Sequence, residues 1–236
     1  MQRITAIGFD ADDTLWHNEH LFRLTQDRFR ALLADFTAAD HLDARLLAAE
    51  RRNLGHYGYG IKGFVLSMIE TAIEVTGGRV PATVIAEIMA AGREMLDHPI
   101  DPLPQARPTI TALAGRFRLL LITKGDLVDQ ERKLAQSGLG DLFDGVEIVS
   151  EKTRATYQQI FTRHGTGAEA AMMVGNSLRS DVLPALAAGA WAVHVPHALT
   201  WELEQAEEPQ NHARFHSLPD LGALPDLVNA LTATAD

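Results

Sequence analysis

The sequence predicts an α/β fold: a parallel sheet with helices on both faces, interrupted by a block of helices. Three observations carry this. An apolar run, Ile4 to Phe9, ends in an acid-rich turn. From about Trp16 to Asp97 only helical periodicity follows. Beyond that, short apolar runs alternate with helical stretches, and such alternation implies a parallel sheet. The first strand must join that sheet, so the helices are inserted after it. Residues 1–15 and 98–236 are the expected core, and residues 16–97 the expected insertion.

Taken in order, Asn18 to Asp35 carries Leu21, Phe22, Leu24, Phe29, Leu32 and Leu33 at helical spacing. A second helix, Asp40 to Asn53, ends in a Gly-rich break from Gly55 to Gly63. Phe64 to Val75 and Pro81 to Leu96 follow, with Pro81 suited to a first helical position. A Pro-rich connector from His98 to Pro104 is stiff. Strands are then expected at Phe117–Ile122, Gly145–Val149, Ala171–Val174 and Trp191–Val195. Helices are expected near Gln105–Ala114, Leu127–Ser137, Thr153–His164, Leu178–Ala188, Thr200–Glu208 and Leu221–Thr232, with Gly138 and Gly189 as stops.

The bulk numbers bound the function. The 236 residues include 46% hydrophobic and 22% charged, ordinary for a globular protein. No cysteine is present, which excludes disulfides, thiolate catalysis and cysteine zinc sites. A formal charge of −10 argues against nucleic-acid binding. No apolar run is long enough for a membrane span, and the first residues lack the pattern of a signal peptide, so a cytoplasmic protein is expected.

The chemistry sits at strand ends. Asp10 and Asp12 leave the first strand two residues apart, followed by Thr14. Two acids in low dielectric repel unless a cation or a shared proton relieves them. A hard divalent ion fits, with one acid as nucleophile and the other exchanging protons. An Asp-rich turn alone is the competing reading of that stretch. Three more polar groups follow apolar runs: Thr123-Lys124-Gly125, Ser150-Glu151-Lys152 and Gly175-Asn176-Ser177 with Asp181. Open α/β sheets gather ligands at such ends. Thr123 and the amides to Gly125 suit phosphate oxygens. Lys152 suits charge neutralisation. Asn176 and Asp181 would complete a magnesium shell with Asp10 and Asp12.

This order, D-x-D-x-T, then Thr123, then Lys152, then G-N-S-x3-D, resembles the haloacid dehalogenase superfamily of phosphohydrolases. The resemblance spans nearly the whole chain. It implies a Rossmann-like core and an α-helical C1-type cap over residues 16–97. It also implies Mg2+ as cofactor and a small phosphorylated metabolite as substrate. Asp10 is then the nucleophile that forms an aspartyl-phosphate. Asp12 is the general acid and then base, and its backbone oxygen is a metal ligand. Thr123 takes the hydroxyl role and Lys152 the cationic one. The fourth motif departs from the family pattern, having Asn176 where an Asp ligand is usual. Dehalogenases of the superfamily lack an acid at the Asp12 position, because a departing halide needs no proton, whereas an alkoxide does. A phosphatase is therefore expected. The alternatives are a phosphomutase, which returns the phosphoryl group to substrate, and a non-catalytic or degenerate module that binds magnesium and phosphate.

Other residues are open to two readings. Lys62 and Tyr59 lie in the Gly-rich break, either touching substrate or forming an ordinary turn. His17 with His20, or His212 with His216, has metal-like spacing, but solvated histidines are commoner. Glu202, Glu204, Glu207 and Glu208 read as a solvated face. Hydrophobic helix faces leave monomer and homodimer both open.

Overall fold

A computed structural model of the chain describes residues 3–233. Six strands form one sheet: β1 Ala6–Phe9, β2 Arg118–Lys124, β3 Gly145–Val149, β4 Ala171–Gly175, β5 Trp191–His194 and β6 Phe215–Ser217. Their order is β3-β2-β1-β4-β5-β6, and every neighbouring pair is parallel. The α/β, Rossmann-like class expected from the sequence is thus observed. β1 lies between β2 and β4, where the strand order reverses, so the loops leaving these three strands diverge around a crevice beyond β1.

Residues alternate between the two faces, as a strand requires. Ile7, Phe9, Leu119, Leu121, Met172, Val174 and Val193 pack with α5 (Ala106–Leu113) and α9 (Leu224–Ala233). Ala6, Leu120, Ile122, Met173 and Ala192 pack with α7 (Arg154–His164) and α8 (Leu183–Ala188). A further helix, α6 (Leu127–Ser137), follows β2.

The chain separates into two compact units. One holds the chain to Glu19, Ile100–Lys124 and the chain from Gln130 onward; the other holds His20–Pro99 and Gly125–Asp129. The second contains α1 (Glu19–Leu33, from its second residue), α2 (Ala39–Tyr57), α3 (Ile61–Val75) and α4 (Ala82–Asp97). Phe29, Leu33, Leu42, Leu46, Phe64, Met68, Ile88 and Met95 make its own core.

Four sequence expectations are corrected. The break after α2 begins at Gly58, not Gly55: Gly55 has open space around it and is carried inside the helix, a tolerable cost of about 1 kcal/mol. The helix expected from Leu178 opens instead with a wide turn, Leu178–Val182, in which the N–H groups of Asp181 and Val182 both donate to the Ser177 carbonyl. Pro184 lacks the N–H that a regular first turn would use there. The acidic stretch Thr200–Glu208 forms only one short turn, Glu202–Glu204. β6 was not anticipated, because three edge residues give no readable periodicity. Among the described residues, no helix is long and apolar enough to cross a membrane.

Candidate active site

Asp10 directly follows β1, and its N–H donates to the Val174 carbonyl at 2.9 Å, so the carboxylate stands at the carboxyl end of the sheet. It is buried, and its two oxygens face different partners. Oδ1 accepts from Lys152 Nζ at 2.5 Å. That ammonium, also buried, donates to Asp181 Oδ1 at 2.7 Å. Burial and the Asp181 charge push the Asp10 carboxyl from 3.8 up to about 7, against the pull of Lys152. Lys152 is itself held above its usual range: burial opposes the charge, but Asp10 and Asp181 outweigh it. One buried cation shared by two buried carboxylates leaves an excess of negative charge, which a further cation relieves.

Oδ2 faces Thr14 and Asn176. The Asn176 side-chain amide lies 3.2 Å from Asp10 Oδ2, 3.2 Å from the Asp12 carbonyl oxygen and 3.3 Å from Thr14 Oγ1. With its NH2 inward, the amide's two N–H groups face these three acceptors. With Oδ1 inward, it joins two other oxygens in a set that only a positive charge holds together. Adjacent ligands of an octahedral magnesium ion are about 3.0 Å apart, so the spacing fits. Asn176, Asp10 and the Asp12 carbonyl therefore suit a hard cation. Asp181 was expected in the same shell, but the structure engages it elsewhere: Oδ1 holds Lys152, and Oδ2 accepts from the Ser177 N–H at 2.9 Å. A Cβ on Gly175 would stand 2.2 Å from Asp181 Oδ2, so a residue without one lets Asp181 reach this position.

The Asp12 carboxylate meets a different environment. Oδ1 accepts from Trp16 Nε1 at 2.7 Å and Lys133 Nζ at 3.0 Å; Oδ2 accepts from Gln130 Nε2 at 2.8 Å. Burial pushes its pKa up, but the Lys133 charge and the three hydrogen bonds prevail and hold it below the usual value.

A family model for haloacid dehalogenase-like hydrolases matches residues 4–189. The chain belongs to this family. A haloacid dehalogenase-like hydrolase from Xanthomonas campestris is 43% identical, with a TM-score of 0.89 over 99% of this chain and 94% of that one. The glyceraldehyde 3-phosphate phosphatase of Methanothermobacter thermautotrophicus is 29% identical over 133 residues, covering 54% of this chain and 58% of the relative's length. The L-2-haloacid dehalogenase of Xanthobacter autotrophicus, at 20% identity, shares the fold with a TM-score of 0.67 over 97% of this chain and 99% of that one. The magnesium-bound HAD-hydrolase YfnB of Bacillus subtilis, at 17% identity, does so with a TM-score of 0.65 over 97% and 100%.

The remaining expected residues of this hydrolase are placed as follows. Thr123 is buried near the end of β2, and its hydroxyl donates to the Lys124 carbonyl at 3.3 Å. Lys124, expected on phosphate, is instead turned to Glu204 at 2.7 Å, Ser180 Oγ at 2.7 Å and Glu151 at 3.5 Å. Glu204 is correspondingly not a solvated residue: its other oxygen takes the Ser177 and Ser180 hydroxyls, both at 2.5 Å, and these bonds with Lys124 lower its pKa against burial. Gly125 and Lys62 belong to the helical unit, where Lys62 Nζ pairs with Asp126 at 2.9 Å. Gly125 has φ 137°, a conformation that glycine adopts freely.

Asp13, at φ 58°, accepts the Asn18 and Glu19 N–H groups and so caps α1. His17 approaches His197 rather than His20, with Nδ1 and Nε2 3.2 Å apart, and Asp13 lies 3.5 Å from the His197 ring. A hydrogen bond between the rings and the capping role account for this cluster. Sequence reasoning missed Trp16, Gln130, Lys133 and Glu204. Gln130 and Lys133 are three apart on the helix leaving β2, and that spacing was the available signal.

Proposed function

We propose that this hydrolase is a magnesium-dependent phosphatase acting on a small phosphorylated metabolite through an aspartyl-phosphate. The observation that supports it best is a carboxylate at Asp12, hydrogen-bonded in the same unit as the nucleophile. Release of halide needs no proton donor; release of an alkoxide does. The name of the Methanothermobacter relative is consistent with this reading.

In the proposed reaction, Asp12 first takes up a proton, against the pull of Lys133 that favours its ionised form; Asp10 then attacks phosphorus, the ester P–O bond breaks, and Asp12 gives that proton to the leaving oxygen. Water then attacks the aspartyl-phosphate and gives its proton to Asp12; the bond to Asp10 breaks and phosphate leaves. Lys152 keeps Asp10 oriented and neutralises charge on the transferring group. Asp10, the Asp12 carbonyl and Asn176 would hold Mg2+, which supplies charge stabilisation at the phosphoryl oxygens. Lys62 is assigned to substrate phosphate and Thr123 to the phosphoryl oxygens.

The test is release of phosphate from a panel of phosphate monoesters, and of halide from 2-haloacids, with and without magnesium. Magnesium-dependent phosphate release without halide release is expected. Halide release alone would overturn the reading, and transfer of phosphate to a second position on the substrate would favour a phosphomutase.

A further inference from the structure

We propose that Gln130 and Lys133 are positioning residues for Asp12, holding its carboxylate as the base that activates water against the aspartyl-phosphate. This rests on the phosphatase reading. Both residues lie on α6 and share a face three positions apart. Gln130 is 3% exposed and Lys133 5%, too buried for residues that merely solubilise a helix.

Each is tied at a second point. Gln130 Nε2 donates to Asp12 Oδ2 and also to the Lys124 carbonyl at 2.9 Å, which anchors it to the end of β2. Its Oε1 is buried without a hydrogen bond, so the amide is oriented through its donor end. Lys133 Nζ donates to Asp12 Oδ1 and to Asn18 Oδ1 at 2.8 Å. With Trp16 Nε1, three donors fix both oxygens of a side chain that otherwise has two free torsions. A base set this way meets the attacking water without first searching rotamers. The water oxygen bonds to phosphorus, its proton passes to an Asp12 oxygen, and the phosphorus bond to Asp10 breaks.

The test is kinetic, with p-nitrophenyl phosphate and magnesium. Its phenolate leaves without a proton, so the first half-reaction does not depend on Asp12 as an acid. Lys133→Met is expected to lower kcat about tenfold. KM should fall by the same factor, leaving kcat/KM within about twofold. The phosphoenzyme should accumulate, visible as a burst of p-nitrophenol and as covalent phosphate after acid quench. Gln130→Met, which removes one neutral donor, should show the same split more weakly and decides the matter if Lys133→Met does not fold. A kcat/KM that falls as far as kcat, with no burst, overturns the positioning role while the phosphatase reading stands. A wild type that hydrolyses no phosphate monoester overturns both.

Discussion

Asp10 and Asp12 stand two residues apart in the chain, yet their carboxyls meet opposite surroundings. Asp10 shares one ammonium with Asp181 and is pushed up to about 7. Asp12 has Lys133, Gln130 and Trp16 on it and is held below its usual value. The difference teaches that proximity in sequence does not set protonation; the balance of burial, neighbouring charge and hydrogen bonds at each carboxylate does. Asp10 lacks positive charge, which is the condition for recruiting a cation. Asp12 has enough, which is the condition for keeping a base oriented.

The largest expected effect breaks the Asp10 side. Asp10→Asn should lower phosphate release by about 10⁴-fold or more. It should also raise the melting temperature at pH 8, because a neutral amide ends the repulsion with Asp181 while Lys152 keeps one carboxylate. Asp12→Asn should do the reverse for stability and cost about 3 kcal/mol, because the buried ion pair of Asp12 with Lys133 is broken from one side. Chemical denaturation of the two variants checks the pair. Equal signs would show that the two sites are not electrostatically distinct.

That contrast shows where the sequence was legible. The strands of the core and the four motif positions could be read because apolar runs ending in polar groups are local signals. The partners that set each carboxylate were less readable. Lys152 was found because it follows a strand, like Asp10. Gln130, Lys133 and Glu204 were not, because each reaches its partner from a helix or loop far along the chain, and the shared helix face of Gln130 and Lys133 does not by itself say what that face meets. The partner of Lys124 is hidden for the same reason: its ammonium donates to Glu204, 80 residues away.

A smaller effect sharpens the Asp10 side through pH. Its folded pKa, about 7, lies above the ordinary 3.8. Between these values the folded state holds a proton that the unfolded state has lost, so Asp10's contribution to stability falls as pH rises through this window and is gone above it. Magnesium should offset that loss where Asp10 is ionised. At ten times its dissociation constant the ion adds about 1.4 kcal/mol. Melting curves with and without magnesium should therefore separate more at pH 8 than at pH 5. Equal separation at both would place the ion away from Asp10.

The smallest effect extends the comparison to a carboxylate with nothing at stake in charge balance. Lys62 pairs with Asp126 at 2.9 Å, but its side chain is 55% exposed, against 2% for Lys152. Water screens such a pair, and its loss costs less than about 1 kcal/mol. Lys62→Ala should therefore leave the denaturation midpoint almost unchanged, unlike Asp12→Asn. If Lys62 also touches substrate phosphate, KM should rise several-fold with kcat unchanged, since uniform binding energy is lost from ground and transition states alike. An unchanged KM would remove Lys62 from the substrate contacts.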